Sequence, residues 1–372
     1  MNRLINNTGK QLIKILTYTL FLAFLISPYA FAEKPKIGVV FTCFGDIGSL
    51  DEVESYTKNC FLDPDIVAMP NFLRKPLSNF IWWMIKESRL AAYEYLGGNT
   101  HYREQSRAQT DLIVEELRKK GYDVKGYLGF VLTYPYMRDT LAEIQKDGIE
   151  KLVIINQGAL YSYATTEIPL RETRLYLKGH PEWKAEIIGV KSFIRDTRFM
   201  DLIENNIKDR LNTTFENIPN KNICILLPFH GVPMSMVEKG DPTLKDTEFI
   251  LKEFKKRFKD INVYPAYQNH DYLYTGEWTK PAEDVVTKEI GKASYSHVLI
   301  NGRITFTIDN IETLLTQGSS MRLRILDYGK DKKVHVEEMF NLEKPFINYM
   351  ATVTEEAVQG KGDLVILQHK NK

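Results

Sequence analysis

The sequence is short of cysteine, of net charge and of the composition that keeps a chain disordered, and each shortage excludes something. Only 3 cysteines occur in 372 residues, Cys43, Cys60 and Cys224. None stands in a C-x-x-C spacing, so a structural zinc site or an iron–sulfur cluster has too few thiolates. A Cys43–Cys60 disulfide is open to a chain in an oxidising compartment, but buried free thiols are the preferred reading. The formal net charge is +1, with no long Lys/Arg run, which argues against a nucleic-acid partner. With 44% hydrophobic and 26% charged residues, the chain has ample material for a large core.

The N-terminus is different in kind. Arg3, Lys10 and Lys14 precede an apolar run from Ile15 to Ile26, and Ala30-Phe31-Ala32 follows. A basic start, a short apolar run and an A-x-A site read as a secretory signal peptide over residues 1–32. The run is short for a spanning helix, so a retained N-terminal anchor is the lesser reading. The expected location is outside the cytoplasm, in a periplasm, with membrane association left open.

Six short apolar runs read as buried parallel strands: Lys36–Phe41, Lys151–Asn156, Glu186–Val190, Ile223–Pro228, Ile261–Ala266 and His297–Gly302. Between them lie amphipathic stretches at Arg103–Lys120, Met137–Lys146, Phe199–Leu211, Lys245–Lys259, Pro281–Lys292 and Pro345–Val358. Alternation of this kind predicts a doubly wound, Rossmann-like α/β fold, in which ligands sit outside the carboxyl ends of the strands. Lys151–Glu167 and Ser296–Glu312 echo one another, each with a V-[IL]-I-N run and a glutamate eleven residues after the asparagine. The echo suggests two similar lobes, and the polar stretch Asn212–Asn222 is the natural boundary. The expected domains are 33–215 and 216–372.

Three places carry chemistry. His230 stands at the end of an apolar strand, before a Gly-Val-Pro turn, where an imidazole can take a proton near pH 7 or ligate a metal. Asp309 and Glu312 have capping-box spacing at a helix start, which alone would explain both carboxylates. Tyr267–Trp278, rich in aromatics and including His270, reads as a binding loop or a packed edge.

Taken together these segments resemble the ferrochelatase family, over Lys36 to Val358. "FHGVPMSMVEKGDP" (Phe229–Pro242) resembles the family's S-x-H-[GS]-[VL]-P signature with its G-D-P turn. "YQNHDYLYTGEWTKP" (Tyr267–Pro281) is similar to its [YW]-Q-S-x-x-G…W-L-x-P segment, and "FTIDNIETL" (Phe306–Leu314) to its F-x-x-D-x-[IL]-E-T-L. Met137–Thr166 ends in a Y-S-x-x-[ST]-T segment of the kind that lines the porphyrin cleft.

The resemblance implies two chelatase lobes with a porphyrin cleft between them, and insertion of Fe²⁺ into protoporphyrin IX or coproporphyrin III. His230 and Glu312 would then face each other as proton acceptors and metal ligands, with Asp309 assisting. Tyr161, Ser162, Thr165, Thr166, Phe229, Gln268, Trp278 and Phe306 would contact the substrate. The chemistry suits these types, because metallation removes two pyrrole protons and imidazole and carboxylate are bases that also bind Fe²⁺, Co²⁺ or Zn²⁺. The metal is a substrate; no prosthetic group and no iron–sulfur cluster is implied.

There are departures. Val131 replaces the arginine of an R-Y-x-x-P segment, "FTCFGD" (Phe41–Asp46) replaces N-x-G-x-P, and "GNTHY" (Gly98–Tyr102) replaces G-S-P-L. Thr316, Gln317 and Gly318 stand where further acids usually follow the glutamate, and Asn310 where some members have histidine. A porphyrin- or haem-binding protein without activity and a cobaltochelatase of related fold are therefore the rival expectations. Finally, aromatics interleaved with Arg74, Lys75 and Lys86 in 71–88 suit either peripheral membrane contact or a buried helix hairpin.

Overall fold

The computed structural model describes residues 35–64, 66–67, 70–268 and 276–367. The leader segment, 1–32, and His270 in the aromatic loop lie outside the described residues. Two sheets carry the fold. In the first, β1 (Ile37–Cys43), β2 (Val124–Phe130), β3 (Lys151–Asn156) and β4 (Glu186–Ser192) run parallel in the order β2-β1-β3-β4. In the second, β5 (Ile223–His230), β6 (Asn262–Gln268), β7 (His297–Ile300) and β8 (Lys333–Val336) run parallel in the order β6-β5-β7-β8. The two orders are the same, strand for strand, so β3 and β7, which carry the sequence echo, occupy equivalent places. Each asparagine of the echo makes the same turn: Asn156 Oδ1 accepts from Gly158 N (2.6 Å) and Asn301 Oδ1 from Arg303 N (3.2 Å).

Parallel strands covered on both faces read as continuous apolar runs. Ile37 to Thr42 of β1 and Ile223 to Phe229 of β5 are all buried. The helices are α1 (Val53–Leu62), α2 (Asn71–Tyr95), α3 (Tyr102–Lys119), α4 (Met137–Lys146), α5 (Glu167–Gly179), α6 (Thr197–Thr213), α7 (Met234–Glu238), α8 (Thr243–Arg257), α9 (Glu283–Lys292), α10 (Arg322–Tyr328) and α11 (Lys344–Val358). A π-helix, Glu312–Met321, precedes α10. All six expected strands are present, and α4 matches its expected span residue for residue.

Three strands have no counterpart in the sequence-based expectation. The sequence of β2, VKGYLGF, breaks its apolar pattern with two glycines, and the sheet needs both. A Cβ at Gly126 would stand 2.8 Å from Thr110 and Val114 of α3, and one at Gly129 2.6 Å from Met137 Sδ. β8 has only four residues. β9 (Asp363–Leu367) lies beyond the resemblance and joins the first sheet antiparallel to β4. With α11 packed on α3 and α6, the C-terminal segment of the chain thus returns to the first sheet. The segment 71–88 is not a buried hairpin but part of one 25-residue helix, α2.

Candidate active site

The carboxyl ends of β5 and β6 and the start of the π-helix meet. His230 is the last residue of β5 and pairs in register with Gln268, the last of β6; Gly231 N donates to Gln268 O (2.8 Å). Side chains alternate along a strand, so Phe229 and His230 face opposite ways. Phe229 is fully buried against Tyr267, with ring centroids 5.7 Å apart, while the His230 side chain is 42% exposed. Phe229 is therefore a core residue packed on Tyr267, where the expectation had placed it against the substrate.

The His230 ring has a defined tautomer. Nδ1 lies 2.7 Å from Gly231 O, an acceptor only, so Nδ1 carries the hydrogen and Nε2 is the free basic nitrogen. Nε2 is 3.7 Å from Glu312 Oε1, too long for a hydrogen bond. One cation at about 2.1 Å from each atom would span that separation. The other oxygen, Oε2, accepts from Gln268 Nε2 at 2.8 Å.

The helix cap is displaced by one residue from the expected Asp309/Glu312 box. Asn310 Oδ1 accepts from Glu312 N (2.8 Å) and Thr313 N (3.3 Å), and Asn310 N donates back to Thr313 Oγ1 (3.0 Å). That is a reciprocal box between Asn310 and Thr313. It leaves the Glu312 carboxylate out of the cap and turned to His230 and Gln268. Asp309 is also engaged elsewhere: its carboxylate accepts from Thr313 Oγ1 (2.8 Å), Asn341 Nδ2 (2.7 Å) and Met339 N (3.3 Å).

Among the other expected substrate contacts, Trp278 is half-buried and bridges Pro233 in the turn after His230. Phe306 is half-buried on the segment leading to the π-helix, where its neighbour Thr305 donates to Pro228 O (2.8 Å). Ser162 is buried and donates to Asp241 Oδ2 (2.7 Å), which also accepts from Tyr163 N (2.7 Å). The aspartate of the G-D-P turn is thus a clasp on the loop after β3. Thr166 is buried on Leu160 O, and Thr165 is half-buried. Tyr161 donates to Glu167 Oε2 (2.8 Å) and lines a separate cavity of about 600 Å³ with Lys191, Arg195 and Arg198.

Two contributors were not singled out in the sequence. Asp46 ends the "FTCFGD" run and is 1% exposed. Its carboxylate accepts from Tyr93 OH (2.6 Å), Ile47 N (2.8 Å), Thr100 Oγ1 (2.8 Å) and Ile311 N (3.1 Å). Burial raises its pKa although all four hydrogen bonds oppose the shift. The last of those donors fastens the β1 end to the residue before Glu312. Arg103 grips Glu52 and donates from Nη2 to Thr133 Oγ1 (3.0 Å), so a guanidinium reaches the segment in which Val131 replaces arginine. The one clue was the breach of pattern itself. Cys43 and Cys60 are free thiols, and burial pushes Cys60 up to about 12.

The family model described as Ferrochelatase matches residues 36–358. Ferrochelatase-2, chloroplastic, of Arabidopsis thaliana is 28% identical over 350 residues, covering 88% of this chain and 67% of that protein. The ferrochelatase of Rippkaea orientalis is 26% identical, covering 87% and 83%. That of Aquifex aeolicus is 27% identical, covering 81% and 93%. A match along nearly the whole described length leaves one conclusion: the protein belongs to the ferrochelatase family and is a metal–tetrapyrrole chelatase.

Proposed function

We propose that the protein inserts Fe²⁺ into a porphyrin, protoporphyrin IX or coproporphyrin III, with His230 and Glu312 as the proton-accepting and metal-handling pair. The observation that carries this reading is the free Nε2 of His230 held 3.7 Å from Glu312 Oε1. In the balanced reaction one divalent cation enters the ring and two pyrrole N–H protons leave. The imidazole and the carboxylate each accept one, and water takes them on. Asp309 acts at one remove, holding the segment that starts the π-helix. Trp278 and Phe306 are the apolar contacts proposed for the ring. The outward apolar face of α2 supports a second proposal, that the enzyme works at a lipid surface.

The test is an anaerobic insertion assay on the chain from Glu33 onward, with each porphyrin or sirohydrochlorin and Fe²⁺, Zn²⁺ or Co²⁺. His230→Ala is expected to lower turnover at least a hundredfold while porphyrin binding survives. Full activity in that variant overturns the assignment. Tight porphyrin binding without turnover in the wild type would make the protein a carrier, and turnover only of Co²⁺ with sirohydrochlorin a cobaltochelatase.

A further inference from the structure

Gln317 lies five residues after Glu312. In an α-helix that offset would rotate it about 140° away. The π-helical winding, with its i→i+5 hydrogen bonds, returns it to the same side. Its side chain is fully buried, and Nε2 donates to Gln268 Oε1 (3.2 Å). Gln268, also fully buried, donates from Nε2 to Glu312 Oε2 (2.8 Å). Two amides therefore stand in series behind the carboxylate.

The direction of this chain is forced. A carboxylate only accepts, so Gln268 turns its NH₂ to Glu312 and its oxygen to Gln317. Gln317 must then present its NH₂ to Gln268. Its own Oε1 is left pointing at Gly302, with no hydrogen-bond partner among the described residues. A Cβ on Gly302 would stand 2.0 Å from that oxygen, so the glycine is what lets the amide fit. A buried acceptor without a donor is destabilising, and a fold that keeps one has accepted a cost for the arrangement it permits.

We propose that Gln317 is a positioning residue for Glu312, acting through Gln268. The two amides pin Oε2 and leave Oε1 as the edge presented to His230. This rests on the assignment of Glu312 made above.

The experiment uses the full chain in the insertion assay, with protoporphyrin IX and Zn²⁺ as the probe. Gln317→Leu is expected to lower kcat about tenfold with porphyrin KM unchanged, as a displaced catalytic group does. Its melting temperature should stay near that of the wild type, because one unpaired acceptor is removed and another, Gln268 Oε1, is created. The variant combining Gln317→Leu with Gln268→Leu should be no slower than Gln268→Leu alone, since both act along one path. A kcat within twofold of wild type, or losses that multiply in the double variant, overturns the inference. Gln317→Met replaces the leucine variant if that fails to fold, under the same criteria. Glu312→Gln separates the two layers: if it keeps full kcat, the assignment of Glu312 falls. If it is inactive while Gln317→Leu is not impaired, only the positioning role falls.

Discussion

At the scale of single residues, one question is what holds the first turn of the π-helix. Asn310 supplies the cap, and the Glu312 side chain takes no part in it. Asn310→Ala should therefore cost about 1 kcal/mol, read as a lowered urea midpoint. Glu312→Ala should leave the midpoint within about half of that shift, while abolishing insertion. The opposite ranking would mean that Glu312 is a structural cap. The sequence was misleading here for a physical reason. Asp309-x-x-Glu312 and Asn310-x-x-Thr313 are overlapping frames, both with residues able to cap, and only the three-dimensional position of Asn341 and Met339 draws Asp309 away. His230 was legible, since a polar residue ending an apolar strand before a turn has few other places to point. Gln317 was not, because its importance depends on π rather than α winding.

At the scale of elements, α2 inverts the usual pattern of a surface helix. Its inward side buries Arg74, Ser78 and Ile81, while Phe72 (77% exposed), Phe80 (54%), Trp83 (64%) and Met84 (59%) face out. Lys75 and Lys86 are exposed beside them. Large aromatics with flanking lysines suit the boundary between headgroups and acyl chains. No helix among the described residues is long and apolar enough to cross a membrane. The same helix reaches the site, since its Trp82 and Tyr93 belong to one apolar cluster with Ile311, next to Glu312. We therefore expect the protein to co-float with vesicles containing anionic lipid. Replacing Phe80 and Trp83 by serine should lower that binding about tenfold or more, by the lost burial of two aromatic side chains, without loss of insertion from detergent. Unchanged flotation would remove the membrane proposal. The residues of this helix were conspicuous in the sequence, but composition could not show which side they face. Inward-facing aromatics would have made a hairpin core.

At the scale of the whole molecule, the two sheets share one order, and that symmetry was visible as the echo of Lys151–Glu167 in Ser296–Glu312. The return of the chain end as β9 was not, because a five-residue edge strand carries little pattern of its own. What fastens the second sheet to helices of the first half is equally silent in sequence: a buried cluster around Glu337, whose side chain is fully buried. It accepts from Asn206 Nδ2 (2.9 Å) and Arg210 Nε (2.7 Å) of α6, and from Arg303 Nη2 (3.2 Å) beyond β7; His335 Nε2 lies 3.2 Å away. Burial alone would raise this carboxyl, but hydrogen bonds from His335, Arg210 and Asn206 and the charge of Arg303 bring it down to about 2. The folded value thus lies below the ordinary 4.5, so the charged form stabilises the fold above that value and the gain is lost as pH falls toward 2. Glu337→Gln should destabilise by about 3 kcal/mol at pH 7, because the buried Arg303 and the half-buried Arg210 lose a shared counter-charge, Arg303 keeping only Glu343. Melting curves of the two proteins should converge between about pH 5 and pH 2, as the wild-type carboxyl takes up its proton. A deficit that persists undiminished to pH 2 would show that the glutamine fails through packing, and that charge at Glu337 does not hold the halves together.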